Sequence, residues 1–502
     1  MLKSHISYLN GPGISASVAS AVPLVGTEQQ VLNLDLHQED FLPEVDSETL
    51  QGLIIEDALR SRAEDLFKIA EHSVAQFGHP TRVIGSKGHW KTIDYIKKEI
   101  YKLGGYYNVS VQEFPAYMSE IYSMGAFING TKPDSLTEMD MSPPTPNKDY
   151  VSGPLVLVSN NGCDLSDFPE DTEGSIVLVQ RGVCPFGKKS QNAGNLGAKA
   201  AIIYNNEEGS IRGTLGVPPK GAVVAPTVGI SKLEGEKYAS LLRNTSLNAS
   251  VMVDSFVGEI HTLNVIAETI EGDPDNIVML GAHSDSVAAG PGINDDGSGT
   301  ISLLEVAKQL SKFKVNNKVR FAWWAAEEEG LLGSNYYAET LSPEENFKIR
   351  LFMDYDMMAS PNYEYEVYNA SNAVNPVGSE ELKNLYIDYY ESKGLDYVLI
   401  PFDGRSDYVG FIENGIPGGG IAAGAEKKNA FNGEVLDPCY HSLCDNLSNL
   451  AYDAFVVNTK LIAHSVATYA KSLENFPARQ KTVDALGQAG YKFQYRGSHL
   501  II

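Results

Sequence analysis

Apolar residues recur at helical spacing over 57–75 and again over 90–103, where the pattern stops at Gly104-Gly105. Two helices are therefore predicted ahead of a first strand at 109–114. The stretch 130–146 is rich in Pro, Thr, Ser and Asp and has no apolar period, which reads as a boundary. Short strand-like runs follow at 155–158, 175–179, 200–204 and 227–230, separated by glycine-rich turns and one helix near 187–196. Beyond Thr262 the texture changes to long alternation: strand 277–282, helix 300–313, strand 319–326, helix 331–340 and strand 349–355. A helix at 380–392, a strand near 398–402, a glycine-rich strand at 418–424 and a long helix at 451–472 complete this layer, and an irregular tail is expected from Asn475. The alternation predicts an α/β fold with a mixed, mostly parallel sheet covered by helices on both faces. The middle segment, with its own strand rhythm, reads as an inserted β-rich α+β domain.

Composition narrows the picture. The 502 residues are 43% hydrophobic and 21% charged, the balance of a globular chain long enough for two or three domains. A formal charge of −25 repels polyanions, which argues against nucleic acid and acidic membrane surfaces as partners. No run of 18 apolar residues occurs, so no transmembrane helix is expected. The four cysteines, Cys163, Cys184, Cys439 and Cys444, allow three full pairings; their spacing favours two short bridges over a zinc knuckle. Sequons at Asn108, Asn129, Asn244, Asn248, Asn369 and Asn446 favour a glycosylated, secreted chain, with the vacuolar lumen as the alternative. Residues 1–48 read as a weak signal, its apolar stretch 14–25 diluted by serines and Pro23, followed by an acidic pro-segment.

Ligands of open α/β sheets sit beyond the carboxyl ends of the strands, and three such ends here are polar. Strand 277–282 runs into His283-Ser284-Asp285, with Asn294-Asp295-Asp296-Gly297-Ser298-Gly299 opening a helix 12 residues later. Strand 319–326 runs into Glu327-Glu328-Glu329, and strand 349–355 carries Asp354 with Asp356 just beyond. A fourth cluster, Cys439-Tyr440-His441-Ser442-Leu443-Cys444, places a histidine in a loop that a disulfide could hold. Taken singly, Asp295 could cap its helix and the glutamates could be a solvated helix start. Together, imidazole and carboxylate are the donor set of zinc. Two ions sharing one carboxylate would leave a neighbouring glutamate free to take a proton from water.

These motifs, together with Asp356-Met357-Met358-Ala359-Ser360-Pro361-Asn362 and Asp437-Pro438-Cys439-Tyr440-His441, resemble the co-catalytic dizinc aminopeptidases of the M28 peptidase family. Within it the pattern is most like the secreted fungal leucine aminopeptidases and the vacuolar aminopeptidase Y type. The resemblance implies two zinc ions: His283 and Asp356 on one, Glu328 and His441 on the other, with Asp295 bridging. It implies a zinc-bridging hydroxide with Glu327 as general base, Asp285 behind His283, Tyr440 donating to the oxyanion and Arg405 near the substrate's N-terminal end. Asp354 and Asp356 face the same side of a strand, and only the Met-Met-Ala-Ser-Pro-Asn that follows selects Asp356.

The segment 153–248 resembles a protease-associated (PA) domain, marked by Arg181-Gly182-Val183-Cys184-Pro185-Phe186, which implies a Cys163–Cys184 bridge; Cys439 and Cys444 would form the other. The expected division is a peptidase domain at 49–130 and 254–475, a PA insert at 131–253 and a tail at 476–502. The expected enzyme is a monomeric zinc aminopeptidase that acts on peptide or protein N-termini and prefers apolar first residues such as Leu, selected by an apolar wall including Phe402 and Phe411. The alternatives are a carboxypeptidase of the same fold and a non-catalytic receptor-like ectodomain.

Overall fold

The computed structural model describes residues 42–371, 375–479 and 493–502; the expected signal, and most of the expected pro-segment, lie outside them. The buried strand runs of the sequence become the spine of the fold. Asn317–Trp324, Asp273–His283, Ile349–Tyr355 and Gly418–Ala422 are parallel neighbours. Glu366–Asn369 joins antiparallel to the last of these and carries Val398–Pro401 at the edge. Being buried on both faces, the central strands have little polar alternation: Val278, Met279, Leu280, Phe352 and Met353 are all fully buried.

Helices cover both faces, as the alternation requires. On one side Gly297–Leu310 and Tyr452–Lys471 share a core with Glu56–Ala70 and Lys87–Tyr101. The last of these starts where the Ser86 side chain accepts from His89 N–H, and it buries Ile93, Ile96 and Ile100 on one stripe. On the other side Leu332–Thr340 and Tyr408–Glu413 pack Tyr337, Tyr408 and Phe411 against the sheet. Val45, inside the stretch read as pro-segment, is fully buried in the first of these cores, and its N–H donates to Lys314 O.

Several strands depart from the sequence reading. The first strand runs over Tyr107–Ile128, far beyond 109–114, and pairs antiparallel with Leu247–Thr269 along almost its whole length, from Tyr107 opposite Thr269 to Ile128 opposite Ala249. This ribbon leaves the peptidase sheet, where Phe321 lies opposite Ala267, and enters a second group of strands, where Val151 lies opposite Val251. There Val151–Leu157, Ile176–Gln180, Ala200–Tyr204 and Thr227–Ile230 run parallel, flanked by helices Phe186–Asn195 and Lys232–Leu242. Thr137–Asp140, within the expected boundary at 130–146, is a further strand of this group. Cys163 pairs with Cys184 and Cys439 with Cys444. The tail, expected to be irregular, ends in a hairpin of Tyr495–Arg496 against His499–Leu500.

Candidate metal centre and active site

His283 ends its strand, Asp356 directly follows Tyr355, and Glu327 and Glu328 lie just past Trp324, so parallel pairing brings all four to one edge of the sheet. Asp295 comes from the loop ahead of Gly297–Leu310. Asp296, not Asp295, caps that helix, accepting from Gly299 N–H at 2.8 Å. His441 arrives on the loop closed by Cys439 and Cys444.

Asp295 stands between the two imidazoles: its Oδ1 is 3.2 Å from His283 Nε2 and its Oδ2 3.2 Å from His441 Nε2. Glu328 Oε2 lies 3.1 Å from His441 Nε2. Asp356 Oδ1 and Glu327 Oε2 are 3.8 and 3.9 Å from His283 Nε2. Asp285 sits behind His283 with Oδ1 3.6 Å from Nδ1, too long for a hydrogen bond. Among the described residues both ring nitrogens of His283 and Asp356 Oδ1 are buried without a hydrogen-bond partner. Such atoms are costly unless something else occupies the point they face.

Electrostatics makes the same demand. Burial, and then repulsion from Glu328 and Asp407, hold the Glu327 carboxyl well above the usual range despite the opposing influence of His283. Burial likewise pushes Asp356 and Asp407 up to about 7. His441 rises to about 10 because Glu328 and Asp295 outweigh its own burial. A cation set among these carboxylates would relieve the excess of negative charge, and imidazole plus carboxylate suits a borderline metal such as zinc. His283, Asp295 and Glu328 offer ligand atoms within 4.8 Å of one another, as do His283, Asp296 and Asp356. Asp296 is the poorer donor, since its carboxylate already accepts from the N–H groups of His283, Gly299 and Met357.

The supporting groups were mostly invisible in the sequence. The fully buried guanidinium of Arg82 donates to the carbonyls of Ser284, Pro291 and Gly292, tying together the loops that carry His283 and Asp295. Asp445 accepts from the N–H groups of Asn294 and Asp295 at 2.9 and 3.0 Å. Asp437 accepts from Asn294 Nδ2 at 2.7 Å and from Asn449. Ser406 donates to Asp356 Oδ2 at 3.0 Å, whereas Asp354 Oδ2 is taken by Tyr408 N–H at 3.0 Å. Asp285 accepts from the N–H groups of Glu327 and Glu328, each at 3.3 Å. Ala326, Met357 and His441 adopt positive φ of 60°, 58° and 55°, strain of the kind that gathers at functional sites.

An open cleft leads to this edge, lined by Met357, Tyr368, Ile400, Glu366, Asp403 and Ser498 besides the cluster itself. Phe402 and Phe411 do not line it: they are buried in the core beneath, Phe411 stacked on Phe352 at 3.7 Å. Arg405 is at the cleft, but Glu426 takes up its guanidinium at 2.7 and 3.1 Å, and Nη2 also donates to Tyr440 Oη at 3.2 Å. Tyr440 stacks on His441 with ring centres 3.8 Å apart.

Buried histidines and carboxylates converging at the carboxyl edge of a parallel sheet, with an open cleft above them, define a metal-dependent hydrolase. The description "Peptidase family M28" matches residues 264–466, and "PA domain" matches 151–238. The chain is 56% identical over 475 residues to aminopeptidase Y of Saccharomyces cerevisiae, an alignment covering 92% of this chain and 88% of that one. It is 41% identical to leucine aminopeptidase 2 of Trichophyton equinum, covering 93% and 95%. Among solved structures, an aminopeptidase from Aneurinibacillus superposes with a TM-score of 0.71 at 28% identity, covering 87% of this chain and 99% of that one. A zinc aminopeptidase from Bacillus subtilis superposes with a TM-score of 0.56 at 27% identity, covering 85% and 97%. The chain belongs to peptidase family M28 and is a metallo-aminopeptidase.

Proposed function

We propose that the chain binds two zinc ions, His283 and Asp356 holding one, Glu328 and His441 the other, and Asp295 both. The observation that carries this reading is the set of buried, unpaired atoms on His283 and Asp356 beside an Asp295 whose two oxygens face different imidazoles. Zinc, when bound there, supplies a Lewis acid that polarises the scissile carbonyl and makes water acidic enough to ionise near neutral pH. Asp285 faces His283 Nδ1 and would accept its hydrogen once the other ring nitrogen holds zinc, and through its bonds to the N–H groups of Glu327 and Glu328 it fixes the glutamate turn.

Glu327 takes the proton of the attacking water and returns it to the leaving amine. Tyr440 donates its hydroxyl hydrogen to the carbonyl oxygen as negative charge develops there. Arg405 acts through Tyr440, since its guanidinium is committed to Glu426 and to the Tyr440 oxygen. The substrate's free α-amine is a cation near neutral pH and is drawn to Glu327 and Asp356, which places the first carbonyl, and no later one, at the cluster. The first side chain then meets Met357, Tyr368 and Ile400, an apolar wall that favours residues such as Leu by roughly 1–3 kcal/mol per filled group. The leucine aminopeptidase names among the relatives support this preference.

We further propose secretion of a glycosylated monomer, supported by exposed Asn108, Asn129, Asn244 and Asn248; the vacuolar lumen is the alternative. Among the described residues no helix is long and apolar enough to cross a membrane. The proposed division is a peptidase domain at 49–130 and 254–475, joined by residues from 42 onward, around a PA domain at 131–253. The test compares Leu-p-nitroanilide with its N-acetylated form. Only the free amine should be cleaved, and equal rates would remove the amine-recognition argument.

A further inference from the structure

The last ten residues reach from the peptidase core to the PA core across the active-site edge. At one end Phe493 is buried beside Tyr408, their rings 5.9 Å apart, and Arg496 Nη2 donates to both carboxylate oxygens of Glu413 at 2.9 and 2.8 Å. At the other end Leu500 is buried among Phe186, Ile211 and Leu215. Phe186 N–H donates to Ile501 O and Arg181 Nε to Ile502 O, each at 3.0 Å. Between these anchors the hairpin turns at Gly497 and Ser498, and Ser498 lines the cleft.

The turn meets the glutamate loop directly. Gly497 has φ +60°, and a Cβ there would lie 3.1 Å from Glu327 O and 3.3 Å from Glu327 Oε1, tighter than ordinary contacts. His499 Nε2 is 3.1 Å from Glu328 O; a carbonyl can only accept, so this nitrogen carries the proton and donates. Asp285 also accepts from the N–H groups of Glu327 and Glu328. The loop needs holding, because Ala326 and Leu331 bracket the glutamates at φ 60° and 63°, a conformation that non-glycine residues seldom keep without outside support.

From this juxtaposition we propose that the C-terminal hairpin positions the general base: Gly497 packs on the carbonyl and carboxylate of Glu327, His499 holds the next carbonyl, that of Glu328, and Leu500 to Ile502 fix the hairpin to the PA domain. The PA domain thereby acts on catalysis through ten residues distant in sequence from every metal ligand. The proposal rests on Glu327 being the base.

The test uses the full zinc-loaded chain and reads kcat and KM on Leu-p-nitroanilide, zinc content and the thermal midpoint. His499→Ala should lower kcat roughly ten- to a hundredfold, the scale of a small misplacement of a reacting group. KM, zinc content and midpoint should hardly move. His499→Gln should recover most of kcat, because its amide N–H can reach the same carbonyl. Gly497→Ala should lower kcat in the same way by crowding Glu327. Wild-type kcat in both His499→Ala and Gly497→Ala, no recovery by glutamine, or losses of kcat that track loss of zinc would each overturn the proposal. Glu327→Ala is measured alongside. An active Glu327→Ala overturns the base assignment and this inference with it, whereas an inactive one beside fully active hairpin variants overturns this inference alone.

Discussion

Glu327 and Glu328 are adjacent, yet they face different partners. Glu328 lies 3.1 Å from His441 Nε2 while Glu327 stands 3.9 Å from His283 Nε2. Glu327→Ala should therefore retain zinc and lose roughly 10²–10⁴ in turnover, the usual cost of removing a general base; metal analysis beside kinetics checks it, and loss of zinc would make Glu327 a ligand. Asp356→Asn should weaken zinc binding by more than the roughly 10–100-fold that loss of an outer partner costs. Asp354→Asn should not, because Tyr408 N–H already holds the Asp354 carboxylate; competition with a chelator distinguishes the two. His283, Asp295 and Glu327 were legible in the sequence because each follows an apolar strand or opens a helix. Arg82 was not, since a lone arginine in a loop carries no pattern, and its bonds go to carbonyls some 200 positions away. Arg82→Met leaves three buried carbonyls without this donor, at about 1–3 kcal/mol each, and should show a clearly lower denaturation midpoint.

The loop closed by Cys439 and Cys444 holds Tyr440 and His441 against the cluster. It spans only 5 positions, so the bridge removes little chain entropy on unfolding. Changing both cysteines to serine should leave the thermal midpoint nearly unmoved while lowering zinc affinity and turnover. A large fall in midpoint with unchanged turnover would assign the bridge to global stability instead. The buried parallel strands were readable as continuous apolar runs. The long ribbon of Tyr107–Ile128 against Leu247–Thr269 was not, because its middle is only partly buried, with Tyr117, Met118, Val257 and Ile260 at the margins of two separate cores, so no regular apolar alternation marks it. The terminal hairpin escaped for a different reason: its strands are two residues each, shorter than any period can register.

At the scale of the molecule, the excess of buried carboxylate at the sheet edge should make stability depend on bound metal. A ligand that binds the native chain and not the unfolded one raises stability with its concentration. Chelation should lower the thermal midpoint and re-addition of zinc restore it; an unchanged midpoint would mean the carboxylates are compensated by protons alone. The net charge of −25 could not reveal that so much acidity is concentrated where His283 and His441 meet. Two ions sharing Asp295 are the centre of the proposed site. Its most direct test titrates metal-free chain with zinc and follows Leu-p-nitroanilide hydrolysis. Activity should rise to a plateau at two equivalents per chain, whereas full activity at one equivalent, or without added metal, would contradict it.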